Sequence, residues 1–274
     1  MRIVLVLLSM TVLVACQRKG YTERQNFPND MQVVENLPGP NNVWVFLLAG
    51  QSNMAGRGEV APVDTIPHER IFSINPDGEI VYAKEPLHYY EPNLTGLDCG
   101  LSFGKTLIDH LPDSVSLLLL PTAVGGSAIQ QWLGDSTHRQ VRLLSNFREK
   151  VAIGQRYGRI KGVLWHQGEN DATEEGIPHY QQRLTELIAI FRDLAQNEEL
   201  PVVLGELGSY SRNPENWLRL NQEIHAYANQ NPQAAVVYTQ DLPGKDDYLH
   251  FTAEGQRELG KRFAQEYLKL MQIP

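Results

Sequence analysis

Three groups of residues in this 274-residue chain have types and spacings suited to acyl transfer. Ser52 stands in Gly50-Gln51-Ser52-Asn53, directly after the unbroken apolar run from Val43 to Ala49. Asp247 and His250 stand three apart near the other end of the chain. In a helical turn that spacing puts two side chains side by side. A carboxylate can then hold one imidazole nitrogen while the other takes the proton of a serine nucleophile. Acyl transfer also needs donors aimed at the developing oxyanion. The candidates are the Ser52 N–H, an N–H at Gly125 or Gly126, where the missing Cβ lets backbone approach substrate, and a side-chain amide at Gln167 or Asn170. Singly, each has an ordinary structural reading: a serine caps helices, an Asp-x-x-His is a surface pair, and Gly-Gly is a turn. The serine turn is also not the G-x-S-x-G elbow, because Asn53 is followed by Met54.

What joins these residues is the pattern of elements between them. Val43 to Ala49, rich in β-branched and aromatic residues and stopped by Gly50, reads as a strand buried on both faces. Further strands are expected at Val115–Leu120, Ile160–Trp165, Pro201–Leu204 and Ala234–Tyr238. Between them, apolar residues recur at helical spacing: Phe103, Leu107 and Leu111; Val141, Leu144, Phe147 and Val151; Leu184, Leu187, Ile188, Phe191 and Leu194; Trp217, Leu220, Ile224 and Tyr227. A last helix begins near Thr252. Five alternations of strand and helix predict an α/β fold, a three-layer α/β/α sandwich around a five-stranded parallel sheet. In such a sheet the turns after successive strands gather at one edge, where open α/β sheets bind ligands. Ser52, Gly125-Gly126-Ser127, Gln167-Gly168-Glu169-Asn170-Asp171 and Asp247-x-x-His250 all fall there. The stretch from Gly56 to Leu101 is broken by five prolines and carries a hairpin signal at Asp77-Gly78; it is expected to wall a substrate cleft.

The remaining composition narrows the class. A net charge of -8 leaves no basic excess for nucleic acid or an anionic surface. No histidine has metal-ligand spacing and no Gly-rich phosphate loop occurs, so no metal or cofactor is expected. Residues 1–16 have a charged start, a short apolar core and Leu-Val-Ala-Cys16. This is too short to span a bilayer and fits a signal peptide. Leu13-Val14-Ala15-Cys16 resembles the lipobox of bacterial lipoproteins, which implies lipidation at Cys16 and a lipid-anchored place in the bacterial cell envelope. Residues 17–40 are polar and proline-bearing and read as a flexible tether to a single domain at 41–274. Cys99, the only other cysteine, is expected to be a buried apolar thiol.

In order along the chain, Ser52, Gly125-Gly126, Asn170 and Asp247-x-x-His250 resemble the four blocks of the SGNH (GDSL) hydrolase superfamily. The segments Gly50-Gln51-Ser52-Asn53-Met54, Gly125-Gly126-Ser127-Ala128-Ile129-Gln130-Gln131-Trp132 and Trp165-His166-Gln167-Gly168-Glu169 are similar to its carbohydrate-esterase branch. That branch includes sialate O-acetylesterase-like proteins and family-six acetylxylan esterases. The resemblance covers about Val43 to Leu270. It implies a serine esterase acting on an O-acetylated carbohydrate, with Ser52 as nucleophile, His250 as base and Asp247 as its orienter. It also implies an oxyanion hole of Ser52, Gly125 and either Gln167 or Asn170, with Gln167 slightly preferred. Gln51, Gly126, His166 and Glu169 are carried as substrate contacts, although His166 reads equally as a buried hydrogen-bonded histidine and Glu169 reads better as a brace for the Ser52 turn. Two rivals stand beside this reading: a lipolytic or thioester-cleaving member of the superfamily, and a surface glycan-binding lipoprotein without turnover.

Overall fold

The computed structural model describes residues 24–28 and 30–274. The signal peptide and the lipidation expected at Cys16 lie outside the described residues. The apolar run forms β1 (Val43–Gly50), in which only Trp44 is not fully buried. The chain then passes through a hairpin of β2 (Ile71–Ile74) and β3 (Ile80–Tyr82), helix α1 (Gly100–Ile108) and β4 (Ser116–Pro121). A short helix α2 (Ile129–Leu133) and a small hairpin of β5 (Thr137–His138) and β6 (Val141–Arg142) precede α3 (Leu143–Tyr157) and β7 (Arg159–His166). Next come α4 (Ile177–Ala195), β8 (Val202–Gly205), α5 (Pro214–Asn229), β9 (Ala234–Val237) and α6 (Ala253–Leu270).

The main sheet runs β3-β2-β4-β1-β7-β8-β9, seven strands rather than the five expected. All neighbours are parallel except β2 and β3. The Asp77-Gly78 turn forms as its residues dictate: Asn75 Oδ1 accepts from the Asp77 and Glu79 N–H groups, and Gly78 takes φ +84°. Of the stretch expected to wall a cleft, Arg57, Asn93 and Leu94 do line the space at Ser52, but the hairpin does not. Ile71–Ser73 pairs in parallel with Leu117–Leu119 and extends the sheet. Strands of four and three residues carry too little periodicity to announce such a long-range pairing. The tether expected over 17–40 is likewise part of the fold toward its end. Tyr82 N–H donates to Gln32 O, Val34 N–H donates to Ile80 O, and Val34 is buried in the core.

Alternation along β1 divides the core. Val43, Val45, Leu47 and Ala49 face α2, α3, α4 and α5, while Phe46 and Leu48 face α1 and α6. Burying each large apolar side chain is worth about 1.5–3 kcal/mol, so the centre of the sheet is held from both sides. Strand β1 is also where the connections switch direction, with β4 on one side and β7 on the other. Its carboxyl end is therefore a crevice by topology. Val141, expected in a helix, lies instead in β6, because Arg139 and Gln140 both take positive φ and turn the chain back before α3 starts. Trp132 and Cys99 are both fully buried; Trp132 donates to Ser127 Oγ at 2.9 Å and packs on Trp165.

Candidate active site

The serine turn is fixed by close backbone packing. Gly50 has φ +140°, and a Cβ there would lie 2.1 Å from His166 O on β7, so only glycine fits between β1 and β7. The chain then turns sharply and presents Ser52 at the crevice. His250 Nε2 lies 3.0 Å from Ser52 Oγ, and His250 Nδ1 lies 2.8 Å from Asp247 Oδ2. A carboxylate can only accept, so Nδ1 carries the proton and Nε2 offers its lone pair to the serine hydroxyl.

Asp247 and His250 meet, but not through the helical turn their spacing suggested. They occupy a loop in which Tyr248 takes φ +61° and Asp247 Oδ1 accepts from the N–H groups of Leu249 and His250. A Gly244–Phe251 bridge closes the loop, with Lys245 N–H donating to His250 O. Asn53 ties it to the serine turn. Its Oδ1 accepts from Phe251 N–H, and its Nδ2 donates to Leu249 O at 3.1 Å and Glu169 Oε1 at 2.6 Å.

The oxyanion candidates separate. Gly125 N–H donates to Glu91 Oε2 at 2.6 Å, so it is not open to substrate as expected. A Cβ at Gly125 would collide with that carboxylate and with Arg57, which explains the glycine. Gly126, at φ +76°, lines the cleft, and neither its N–H nor that of Ser52 meets an acceptor among the described residues. Gln167 is fully buried, and its Nε2 is shared among Asp171 Oδ2, Gln51 Oε1 and Ser127 O at 2.6, 3.1 and 3.1 Å. Its amide braces the floor. Asn170 lines the cleft, its Nδ2 donating to Gly126 O.

Two expected substrate contacts are also corrected. His166 is fully buried, with Nε2 donating to Glu206 O, and burial pulls its pKa down to about 4. Glu169 is buried too, and burial pushes its carboxyl up to about 7 against the hydrogen bond from Asn53. Neither reaches the cleft; Gln51 does, although its Oε1 accepts from Gln167.

The cleft, about 390 Å³, gathers Arg24, Arg57, Arg139 and Lys245 around Ser52 in a protein of net charge -8. Glu91 anchors two of them: Arg57 Nη2 contacts both its oxygens at 2.9 Å, and Arg139 bonds it from the turn joining β5 and β6. Burial raises the Glu91 pKa, but the two guanidiniums and the Gly125 N–H outweigh it and hold the carboxyl ionised, below its usual range. Burial likewise lowers His250, helped by the charges of Arg57 and Lys245, and Asp247 only partly opposes this. Burial raises Asp247, but the His250 side chain and two loop N–H groups more than offset it and leave its pKa lowered.

Sequence reasoning missed Asn53, Arg57, Glu91, Arg139 and Lys245. The signals were faint: Arg57 and Glu91 lie in the proline-broken stretch, and Arg139 sits at a positive-φ turn with no glycine to mark it.

Comparison with known proteins agrees with this architecture. A probable carbohydrate esterase of Arabidopsis thaliana is 31% identical over 263 residues, covering 87% of this chain and 95% of that protein. The crystal structure from the same plant superposes with a TM-score of 0.73 at 30% identity, over 84% of this chain and 99% of that one. Two structures share the fold at lower identity. A carbohydrate acetylesterase from Xanthomonas citri has a TM-score of 0.64 at 20% identity, covering 84% of this chain and 56% of that one. NanS has a TM-score of 0.66 at 18% identity, covering 86% and 99%. Residues 42–269 match the family described as carbohydrate esterase, sialic acid-specific acetylesterase, and the chain belongs to that family.

Proposed function

We propose that this carboxylic ester hydrolase removes O-acetyl groups from carbohydrates through an acetyl-enzyme on Ser52. The observation that carries the mechanism is the unbroken line of hydrogen bonds from Ser52 Oγ through His250 to Asp247. His250 Nε2 takes the hydroxyl proton as Ser52 Oγ attacks the acetyl carbonyl, while Asp247 holds the imidazolium that forms. The tetrahedral oxyanion is received by the Ser52 and Gly126 N–H groups and the Asn170 amide. His250 returns the proton to the departing sugar hydroxyl, and water, activated by the same nitrogen, releases acetate.

Arg24, Arg57, Arg139 and Lys245 outnumber the Glu91 and Asp247 carboxylates at the cleft, and this excess of positive charge favours an acetylated sugar bearing a carboxylate, as sialic acid does, over neutral xylan. Arg139, with 42% of its side chain exposed, is the cation best placed to meet that carboxylate. The same polar, charged lining argues against a lipolytic role. A lipobox at Cys16 further supports a place on the bacterial cell envelope, anchored by lipid.

The test is acetate release from p-nitrophenyl acetate, O-acetylated sialic acid and acetylated xylan by the wild-type chain and Ser52→Ala. The serine mechanism predicts a loss of at least about 10⁴-fold in the variant, with the sialic acid ester the best natural substrate. Equal release by Ser52→Ala would sink the mechanism; preference for xylan would sink the charge argument.

A further inference from the structure

We infer that a second cavity beside the cleft is a subsite for the sugar residue adjoining the acetylated one, so that the preferred substrate is an oligosaccharide end and not a free monosaccharide. This rests on the reading of Ser52 as a carbohydrate esterase site.

The second cavity measures about 410 Å³ and is continuous with the cleft in its walls: Arg24, Arg57, Leu94 and Lys245 line both. Either space alone is in the range that holds one small ligand, and together they exceed what one sugar ring needs. The floor of the second cavity is built and rigid. The backbones at Gly58 and Leu97 exchange hydrogen bonds of 3.0 and 2.8 Å, and Gly96 N–H donates to Gly56 O at 3.0 Å. A Cβ at Gly96 would lie 2.3 Å from Gly58 O, so the two segments pack backbone on backbone and leave the space above open. The outer wall is the segment preceding the sheet. Asn26 Nδ2 fastens it to Val60 O at 3.0 Å, and the Arg24 guanidinium lies 5.1 Å from the Phe27 ring centroid.

The lining has the mixture a sugar ring requires. Gln25 and Glu59 offer polar groups for hydroxyls, while Phe27, Val60 and Leu94 offer apolar surface for a ring's C–H face. Leu94, 49% exposed, stands where the two spaces meet. A large exposed apolar side chain at that boundary is well placed to pack against the linkage between two residues. The arrangement also gives a role to part of the long proline-broken stretch: 56–60 and 94–97 supply the floor and sides, while the β2–β3 hairpin within it serves the sheet.

The experiment compares kcat/KM for O-acetylated sialic acid with that for the same sugar at the end of a trisaccharide, and repeats the pair with acetylated xylose and xylotriose. A subsite predicts a trisaccharide preference of about tenfold or more in at least one pair, expressed in KM. Phe27→Ala, and separately Gln25→Ala, should shrink that ratio about threefold or more. Because a ratio is read, a partly unfolded variant does not mimic the effect. Equal kcat/KM within both pairs, or variants that leave the ratio untouched, overturns the subsite while the esterase stands. If no ester is cleaved at all, calorimetric titration of Ser52→Ala with the unacetylated sugars decides independently. Tighter binding of a trisaccharide that Phe27→Ala removes supports the subsite; equal binding of mono- and trisaccharides overturns it.

Discussion

The site has two halves of opposite construction. The floor, from Gln51 through Gln167 and Glu169 to Asp171, has buried side chains; Gln167 donates to Gln51, Asp171 and the Ser127 carbonyl, and Glu169 accepts from Asn53. The loop that carries His250 is open: 41% of the Asp247 side chain is exposed, and Tyr248 and Leu249 beside it are exposed as well. Between the halves stands Asn53, one residue from Ser52, bonding the floor at Glu169 and the loop at Leu249 and Phe251. Ser52, the proposed nucleophile, therefore belongs to the rigid half, and His250, the proposed base, to the more open loop. A serine turn has to hold its backbone donors still while charge develops, whereas the base must meet substrate and water.

The largest expected effect separates the halves by what each loses. His250→Ala should cost about 10⁴-fold or more in kcat with little change in Tm, because its loop contributes few buried contacts. Gln167→Ala should instead cost about 3 kcal/mol of stability, since the buried Asp171 carboxylate and two further acceptors lose their donor. Thermal melts and steady-state kinetics on both variants check this; a large fall in Tm for His250→Ala would erase the contrast.

Next in size is the pH dependence of the floor. Glu169 has a folded pKa of about 7 against an ordinary 4.5, because burial disfavours its charge. The folded state thus binds the proton more tightly than the unfolded chain, and stability falls as pH rises from about 4.5 through 7, by up to about 3 kcal/mol. Glu169→Gln keeps an oxygen for Asn53 and cannot ionise. Its Tm should exceed that of wild type at pH 8 and converge with it at pH 5. A constant offset across that range would mean that Glu169 does not titrate there.

How much of this was legible in the sequence follows the same division. Ser52 was marked by the long apolar strand before it, and Asp247 and His250 by their spacing, and these three do come within hydrogen-bond distance. The reason offered for the pair was wrong: a loop capped by Asp247 Oδ1, not a helix, joins them. The floor was less readable, because which amide points at the cleft depends on partners far along the chain. Gly125 N–H is taken by Glu91, 34 residues away, and Gln167 is drawn inward by Asp171 and Gln51. The parallel core of the sheet was visible as long apolar runs, but β2 joined it through pairing with β4 that four residues cannot advertise.

The smallest effect probes the open half. His250 titrates below 6.5 because burial and the charges of Arg57 and Lys245 outweigh the attraction of Asp247. The acid limb of kcat/KM, where the base becomes protonated, should therefore lie below pH 6.5. Lys245 is part of that loop and ties it to the stretch after the serine turn, its Nζ donating to Arg57 O at 2.9 Å. Lys245→Met removes one positive charge that disfavours the imidazolium, so the His250 pKa should rise and the acid limb move up by a few tenths of a pH unit. In 1 M salt the wild-type limb should approach that of the variant, because the interaction crosses solvent that salt screens. A pH profile of p-nitrophenyl acetate hydrolysis at low and high salt measures both. A limb that moves down in the variant would mean that Lys245 shapes the loop more than it charges it, and that the exposed half is less independent of its surroundings than its burial suggests.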